Sequence, residues 1–401
     1  MKPLLILAFA AVLATPVPAQ TLPDVSVVAF QEWVLAFRGR AQVAGIETDV
    51  LDQAFADVSY DAEVVRRDRN QSEFTKTVWD YLETAVSDLR VANGRKALQG
   101  HQQTLDAISE RFGVPSEIIV AIWGLESAYG TFRGSDSVIR SLASLSFDPR
   151  RAAFFEDQLM AALRILQSGD TKPAQMQGSW AGAMGHTQFM PTSFLDHAVD
   201  WTLDGKRDIW GDDPRDALAS TAAYLKANGW VTGQPWGVEV VLPEGFDYFL
   251  ANREVRKEPK DRALLGVAGV QESALAGEGL ASILLPGGAE GVAFMIFDNF
   301  EVLESYNTAD AYVIGVGHLA DRIGGAWPLQ GDWPREDRAL SYDERIALQE
   351  LLTAAGFDTQ KIDAKIGPLT INALRAWQVS NGLVPDGYAS PAMLGSLQQG
   401  L

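Results

Sequence analysis

The stretch Val114 to Gly130, VPSEIIVAIWGLESAYG, decides how the chain is read. A Pro-Ser-Glu start signal opens it, and Ile118, Ile119, Ala121, Ile122 and Leu125 follow at helical spacing. Glu126 falls on the same face, four residues after Ile122 and seven after Ile119. A carboxylate there is costly unless it is protonated or paired. The nearby helix C-terminus disfavours its negative charge further. Both effects raise its pKa, as a general acid working near neutral pH requires. The spacing leaves a second reading open, in which Glu126 turns to solvent at a fraying helix end.

The chain has 401 residues, 47% of them hydrophobic, enough for one large core and a smaller domain. Residues 1–19 read as a secretory leader: Lys2 is the basic end, Leu4 to Leu13 the apolar run, and Val17-Pro18-Ala19 the cleavage site. No later stretch reaches about 18 uninterrupted apolar residues, so an exported protein without a transmembrane anchor is expected. The absence of Cys excludes disulfides, thiol catalysis, thiolate metal sites and a lipid on a cleaved N-terminal Cys. A formal charge of −19 argues against nucleic acid or an anionic membrane surface as the main partner. The 11 Trp suit sugars and peptides equally.

Helical patterns are expected at 30–37, 49–56, 72–89 and 103–112, with Phe74, Val78, Tyr81 and Leu82 on one stripe and Asn93-Gly94 as a turn. They return at 139–145, 151–166, 218–227 and 311–323, while 238–242 and 291–297 have strand character. The result is a mainly helical body with a small β patch. Between two of these helices lies Phe147-Asp-Pro-Arg150-Arg151. The Arg pair is either a surface feature of a helix start or a hold on an acetamido or peptide group.

Gly178 to Pro191, GSWAGAMGHTQFMP, crowds glycines at 178, 182 and 185 among Met and aromatic residues. It reads as a floor for a flat ligand such as a sugar ring, with Ser179, His186 and Gln188 offering polar groups to the groove. His186 is expected to be a hydrogen bonder rather than a metal ligand. Tyr306 and Tyr312 either edge the groove or sit in the core. Asp200 to Asp216 resembles a calcium loop, with Asp200, Thr202 and Asp204 at positions one, three and five and Gly205 at six. Gly211 stands where the bidentate Glu belongs, leaving Asp212, Asp213 or Asp216 as substitutes. The alternative is an acidic turn held by Asx-type hydrogen bonds.

Gly324 to Leu340 is Gly-, Pro- and charge-rich, and the linker is set at 331–340. Residues 341–401 carry an internal repeat, in which Asp363 to Leu374 aligns with Asp386 to Leu397 as a turn followed by a helix. A three-helix module suited to binding is expected there.

GLESAYG with Glu126, FDPRR, GSWAGAMGHTQFMP, the acidic loop and DALASTAAYLKANGW together resemble the lytic murein transglycosylase B family across residues 23–330. The tail, with GPLTINALRAWQ and LVPDGYASPAMLGSL, is similar to the three-helix peptidoglycan-binding domain. The resemblance implies a lysozyme-like helical catalytic domain over 20–330 and a peptidoglycan-binding domain over 341–401. It implies cleavage of the β-1,4 bond between N-acetylmuramic acid and N-acetylglucosamine without water, leaving a 1,6-anhydro ring. Glu126 would be the single acid and base, helped by the muramyl acetamido group, so the second carboxylate of hydrolases is not needed. Arg150, Arg151, Ser179, Gln188, Tyr306 and Tyr312 would contact substrate. No cofactor would be required, with structural calcium at Asp200, Thr202, Asp204 and Asp216 as the candidate addition. Glycan strands, and other cell-wall enzymes, would be the partners, and the periplasm the location. The sequence departs from the family in lacking the anchoring Cys, in placing Leu203 and Lys206 in the loop, and in having Ala364 where the binding domain has Gly. An ordinary muramidase, a non-catalytic wall-binding protein and a calcium-gated protein are the competing readings.

Overall fold

The structure is a computed structural model described over residues 27–69, 76–270, 275 and 277–400. The leader at 1–19 and Phe74 lie outside the described residues.

The first helices are α1 (Val27–Val43), α2 (Thr48–Ala54), α3 (Ala62–Arg69), α4 (Val78–Ala85), α5 (Asp88–Gly100), α6 (Gln102–Phe112) and α7 (Ser116–Ser127). Phe30 and Phe37 of α1 are buried two turns apart, and the Trp33 and Phe37 rings stack with centroids 5.4 Å apart. The single helix expected over 72–89 is divided: α4 starts on Thr77, whose side chain accepts from the Asp80 amide, and ends at Val86 before α5 begins. Asn93-Gly94 is no turn but the middle of α5. Gly94 is there for closeness, since a Cβ on it would lie 2.5 Å from Ile323 Cδ1 and 2.7 Å from the Tyr129 hydroxyl. In α7 every residue from Ile118 to Gly124 is buried, so the helix runs through the core instead of lying on it.

Two short strands, β1 (Asp136–Ser137) and β2 (Gln177–Gly178), pair antiparallel around α8 (Val138–Phe147) and α9 (Ala152–Ser168). α10 (Pro191–His197) and α11 (Arg215–Ala227) follow. The β patch is antiparallel in the order β4-β3-β6-β5, built from β3 (Gly237–Val241), β4 (Ala268–Gly269), β5 (Ser282–Leu284) and β6 (Ala293–Ile296), with α12 (Pro259–Leu264) between β3 and β4. β6 and its flanks explain the apolar run read at 291–297. Phe294 and Ile296 point into the α7 core, whereas Ala293, Met295 and Phe297 point into a separate cluster with Phe246 and Val267. The period of two buries both faces.

α13 (Asp298–Tyr306) and α14 (Asp310–Ile323) complete the body, with α14 packed along α7. The segment read as a linker lies along the body. The amides of Gln330 and Gly331 donate to Glu239, Arg335 pairs with Glu83, and Trp333 meets Trp79 at 5.8 Å. The tail is α15 (Tyr342–Ala354), α16 (Pro368–Ser380) and α17 (Pro391–Gln398) around Leu348, Leu352, Leu374 and Trp377. Its repeat has a shared device. Gln349 accepts from the amides of Asp363 and Ala364, and Gln378 accepts from the amide of Gly387 and donates to Asp386. Ala364 holds the left-handed φ of +60°, as Gly387 does at +75°.

Candidate active site

Glu126 lies in the last turn of α7, and the Tyr312 hydroxyl donates to its Oε1 at 2.5 Å. The residue as a whole is partly exposed, while its carboxyl is buried. Burial of the carboxyl raises its pKa to about 7, and the Tyr312 hydrogen bond opposes the rise. Tyrosines surround it. Burial and the nearby Glu126 charge raise the pKa of Tyr81 to about 12 and hold those of Tyr306 and Tyr312 well above the usual value. These hydroxyls therefore stay protonated, and those of Tyr306 and Tyr312 donate hydrogen bonds.

The acid is fixed from behind. Arg90 donates to the Gly124 carbonyl at 2.6 Å, and Tyr129 donates to the Arg90 carbonyl at 2.8 Å. After Ser127 the chain leaves the helix through Ala128 (φ +49°) and Tyr129 (φ +59°), two left-handed residues that are not glycine. Such strain persists where surrounding contacts impose it. Here those contacts include the Ser127 hydroxyl, which donates to the His186 carbonyl at 2.5 Å and accepts from the Gly130 amide at 2.9 Å.

The 178–191 loop is thereby tied to α7. His186, read as offering a polar group to the groove, is only 3% exposed and spends its ring nitrogens on internal partners. Its Nδ1 accepts from Trp123 Nε1 at 3.1 Å, which leaves Nε2–H to donate to the Gly211 carbonyl at 2.8 Å. Burial lowers its pKa, so it is a neutral internal hydrogen bonder. Gln188, at φ +53°, donates to the carbonyls of Arg133 and Gly185, and the Ser179 hydroxyl accepts from the Ala183 amide. Tyr306 donates to the Thr187 carbonyl at 2.6 Å, joining the end of α13 to the same loop. Glu126, Tyr312, Tyr306 and the floor thus form one connected assembly.

Arg150 and Arg151 converge on Asp68 of α3, which is 2% exposed. Arg150 also donates to the Asp68 carbonyl at 2.6 Å, and the Arg151 guanidinium lies over Phe154 and Phe155 at 5.0 and 4.8 Å. Both remain about half-exposed.

In the acidic loop, where Asp200, Thr202, Asp204 and Asp216 are the candidate calcium ligands, the carboxylates also accept main-chain amides. Asp200 accepts from the Asp204 and Gly205 amides, Asp204 from the Lys206 amide, and Asp216 from those of Trp201, Thr202 and Asp208. These amide-to-carboxylate bonds are of the Asx type. Among the described residues no three His, Cys, Asp or Glu side chains gather to hold a metal ion. The loop is tied to the body at two points: Arg207 anchors it to Asp170, and Gly211 receives His186.

With this geometry in place, the transglycosylase SLT domain family model matches residues 29–321. The chain belongs to that family. The peptidoglycan binding domain model matches residues 341–397. The chain is 33% identical over 251 residues to the membrane-bound lytic murein transglycosylase B of Escherichia coli (strain K12), spanning 61% of this chain and 66% of that protein. Crystalline SltB3 from Pseudomonas aeruginosa, in complex with NAG-anhNAM-pentapeptide, is 48% identical with a TM-score of 0.89, over 92% of this chain and 99% of that one. The Escherichia coli lytic transglycosylase Slt35, in complex with calcium, is 28% identical with a TM-score of 0.62, over 74% of this chain and 92% of that one. The chain is therefore a lytic transglycosylase with a mainly helical, lysozyme-like body.

Tyr81, Arg90, Ser127, Tyr129 and Arg133 were not singled out from the sequence as site residues. Ser127 and Tyr129 flank Glu126 closely enough to have been candidates, whereas Arg90 acts through a carbonyl 34 positions away, a contact no local pattern records.

Proposed function

We propose that this lytic transglycosylase cleaves the β-1,4 bond between N-acetylmuramic acid and N-acetylglucosamine of peptidoglycan, with Glu126 as sole acid and base, and leaves a 1,6-anhydromuramyl end. The observation that carries this is the setting of Glu126. Burial and one tyrosine hydrogen bond determine its pKa, and no carboxylate is among the groups that shift it. A pKa of about 7 makes both protonation states accessible near neutral pH. Protonated Glu126 gives its proton to the glycosidic oxygen as the bond to the muramyl C1 breaks. The resulting carboxylate takes the proton of the muramyl 6-hydroxyl as O6 bonds to C1. The acid is restored and no water is consumed. Tyr312 holds the carboxyl throughout, and no step passes through the acidic loop.

Gln188 uses its amide nitrogen within the loop and has its Oε1 to offer a sugar. Ser179, an acceptor within the loop, has its proton to donate. Two half-exposed arginines sharing one buried carboxylate carry a net positive charge suited to a stem-peptide carboxylate. The tail would hold the enzyme on the wall. Among the described residues no helix is long and apolar enough to cross a membrane, and the expected leader places the reaction in the periplasm.

Digestion of purified sacculi followed by mass analysis tests the reaction: the muropeptides are expected to be about one water lighter than reducing-end products. Products with ordinary reducing ends would replace this reading with a hydrolytic muramidase. Tyr312→Phe tests the acid's setting. Losing the hydrogen bond that lowers the Glu126 pKa moves the basic limb of the kcat profile to higher pH, because the first step needs protonated Glu126. The rate itself is expected to fall roughly tenfold. An unmoved limb would show that the hydroxyl does not govern Glu126.

A further inference from the structure

Tyr306 is the last residue of α13 and Tyr312 lies in the first turn of α14, so the corner at 307–309 sets the spacing of the two hydroxyls. Within that corner the one side-chain bond recorded among the described residues is from the Ala309 amide to Asn307 Oδ1. The corner is closed from outside by Arg253. Its guanidinium donates to Glu304 Oε1 at 2.6 Å, two residues before Tyr306, and to Asp310 Oδ1 at 2.5 Å, two residues before Tyr312. It also lies over the Phe300 ring of α13 at 5.1 Å. One planar fork thus spans both helices, a geometry that a single ammonium cannot reproduce.

The backbone that carries Arg253 is itself fixed by the tail. Arg375 of α16, only 4% exposed, donates to the Ala251 carbonyl at 2.7 Å, two residues before Arg253. A cavity of about 310 Å³ opens beside the fork, bordered by Asn252, Glu304, Asp310 and Asn372. Arg253 is therefore not sealed in a core where truncation would leave a void.

We propose that Arg253 is a positioning residue for the transglycosylase reaction, clamping α13 to α14 so that Tyr306 holds the floor while Tyr312 holds Glu126. It acts about two residues away from each tyrosine and touches neither the acid nor the groove floor in the recorded contacts. The inference rests on the acid and base reading of Glu126. The groups that face Glu126 are Tyr81 from α4, Tyr306 from α13 and Tyr312 from α14, with Arg90 from α5 acting on Tyr81 and Tyr224 from α11 acting on Tyr306. Opening the corner changes the Tyr312 hydrogen bond first.

The test uses the full chain, soluble glycan strands, and anhydro-product release followed against pH. Wild type must first give the anhydro product; if it does not, the functional reading fails before any variant is compared. Arg253→Ala is then expected to lower kcat roughly tenfold with KM within about twofold, because misplacement of a reacting group costs rate more than affinity. The basic limb should move to higher pH, in the same direction as for Tyr312→Phe. Arg253→Lys should recover part of the rate by keeping one ion pair. In the Tyr312→Phe background, Arg253→Ala should lose most of its effect, as expected of coupled sites. Wild-type kcat in Arg253→Ala, or a loss of kcat matched by a lower Tm with an unmoved limb, would overturn the proposal. Should Arg253→Ala fail to fold, Glu304→Gln with Asp310→Asn opens the same clamp and is read by the same criteria.

Discussion

Glu126→Gln is expected to abolish glycan cleavage while making the protein harder to unfold at alkaline pH. The loss of rate follows from removing the only proton donor and acceptor in the proposed reaction, and about 10³-fold or more is expected. The gain in stability follows from linkage. The Glu126 carboxyl has a folded pKa of about 7 against an ordinary value of 4.5. Below the ordinary value both folded and unfolded chains carry the proton, and there is no penalty. As pH rises, the unfolded chain releases its proton first, and the folded state becomes progressively less stable until the folded pKa is passed. The full penalty, on the order of 3 kcal/mol, is then present. Gln keeps the acceptor for Tyr312 without the charge. The variant should therefore melt about 5 °C above wild type at pH 8 and level with it at pH 4. An equal Tm at pH 8, with activity lost, would mean that Glu126 is ionised in the folded state without cost, and that its pKa is not raised.

This acid was legible in the sequence because spacing is local. Ile119, Ile122 and Glu126 share a face in any helix that starts near Pro115, and the structure buries the two isoleucines and the Glu126 carboxyl. What spacing does not record is what arrives from elsewhere. Tyr312 comes from 186 positions away to reach the carboxyl, and Asp68 from about 80 to reach the arginines. Without Asp68 in view, Arg150 and Arg151 looked either decorative or free to bind a ligand. Asn93-Gly94 carried a turn signal, yet the close passage of Ile323 and Tyr129 gives Gly94 a packing reason to sit inside α5. In the acidic loop the residue types fitted calcium. The direction of each carboxylate, toward main-chain amides, follows from the backbone turns and not from composition. The β patch was legible in part: the runs at 238–242 and 291–297 became β3 and β6, while β4 and β5, two and three residues long, are too short to carry a period.

The floor beside the acid should also be sensitive, and Gly134→Ala measures that. Gly134 has φ +85°, and a Cβ there would stand 2.1 Å from both the carbonyl carbon and oxygen of Gly178. Gly178 in turn would place a Cβ 2.1 Å from the Ala183 carbonyl oxygen, so the chain at 134 and the floor loop are stacked backbone on backbone. Neither can yield by turning a side chain. Accommodating one methyl group requires separating β1 from β2, and with them Arg133, whose carbonyl accepts from Gln188 and whose guanidinium reaches Gly211. The cost is expected to be about 3–5 kcal/mol, with kcat reduced roughly a hundredfold by displacement of the floor. Gly205→Ala separates the two contributions within that cost. Gly205 has φ +90° but nothing within 4 Å of its Cβ position, so it carries the left-handed penalty alone, about 1 kcal/mol. If the two variants lose the same Tm, backbone conformation and not contact explains Gly134, and the floor is less tightly stacked than the distances require. If Gly134→Ala loses several times more and takes activity with it, close contact of two backbones is what holds the floor loop in register with Glu126.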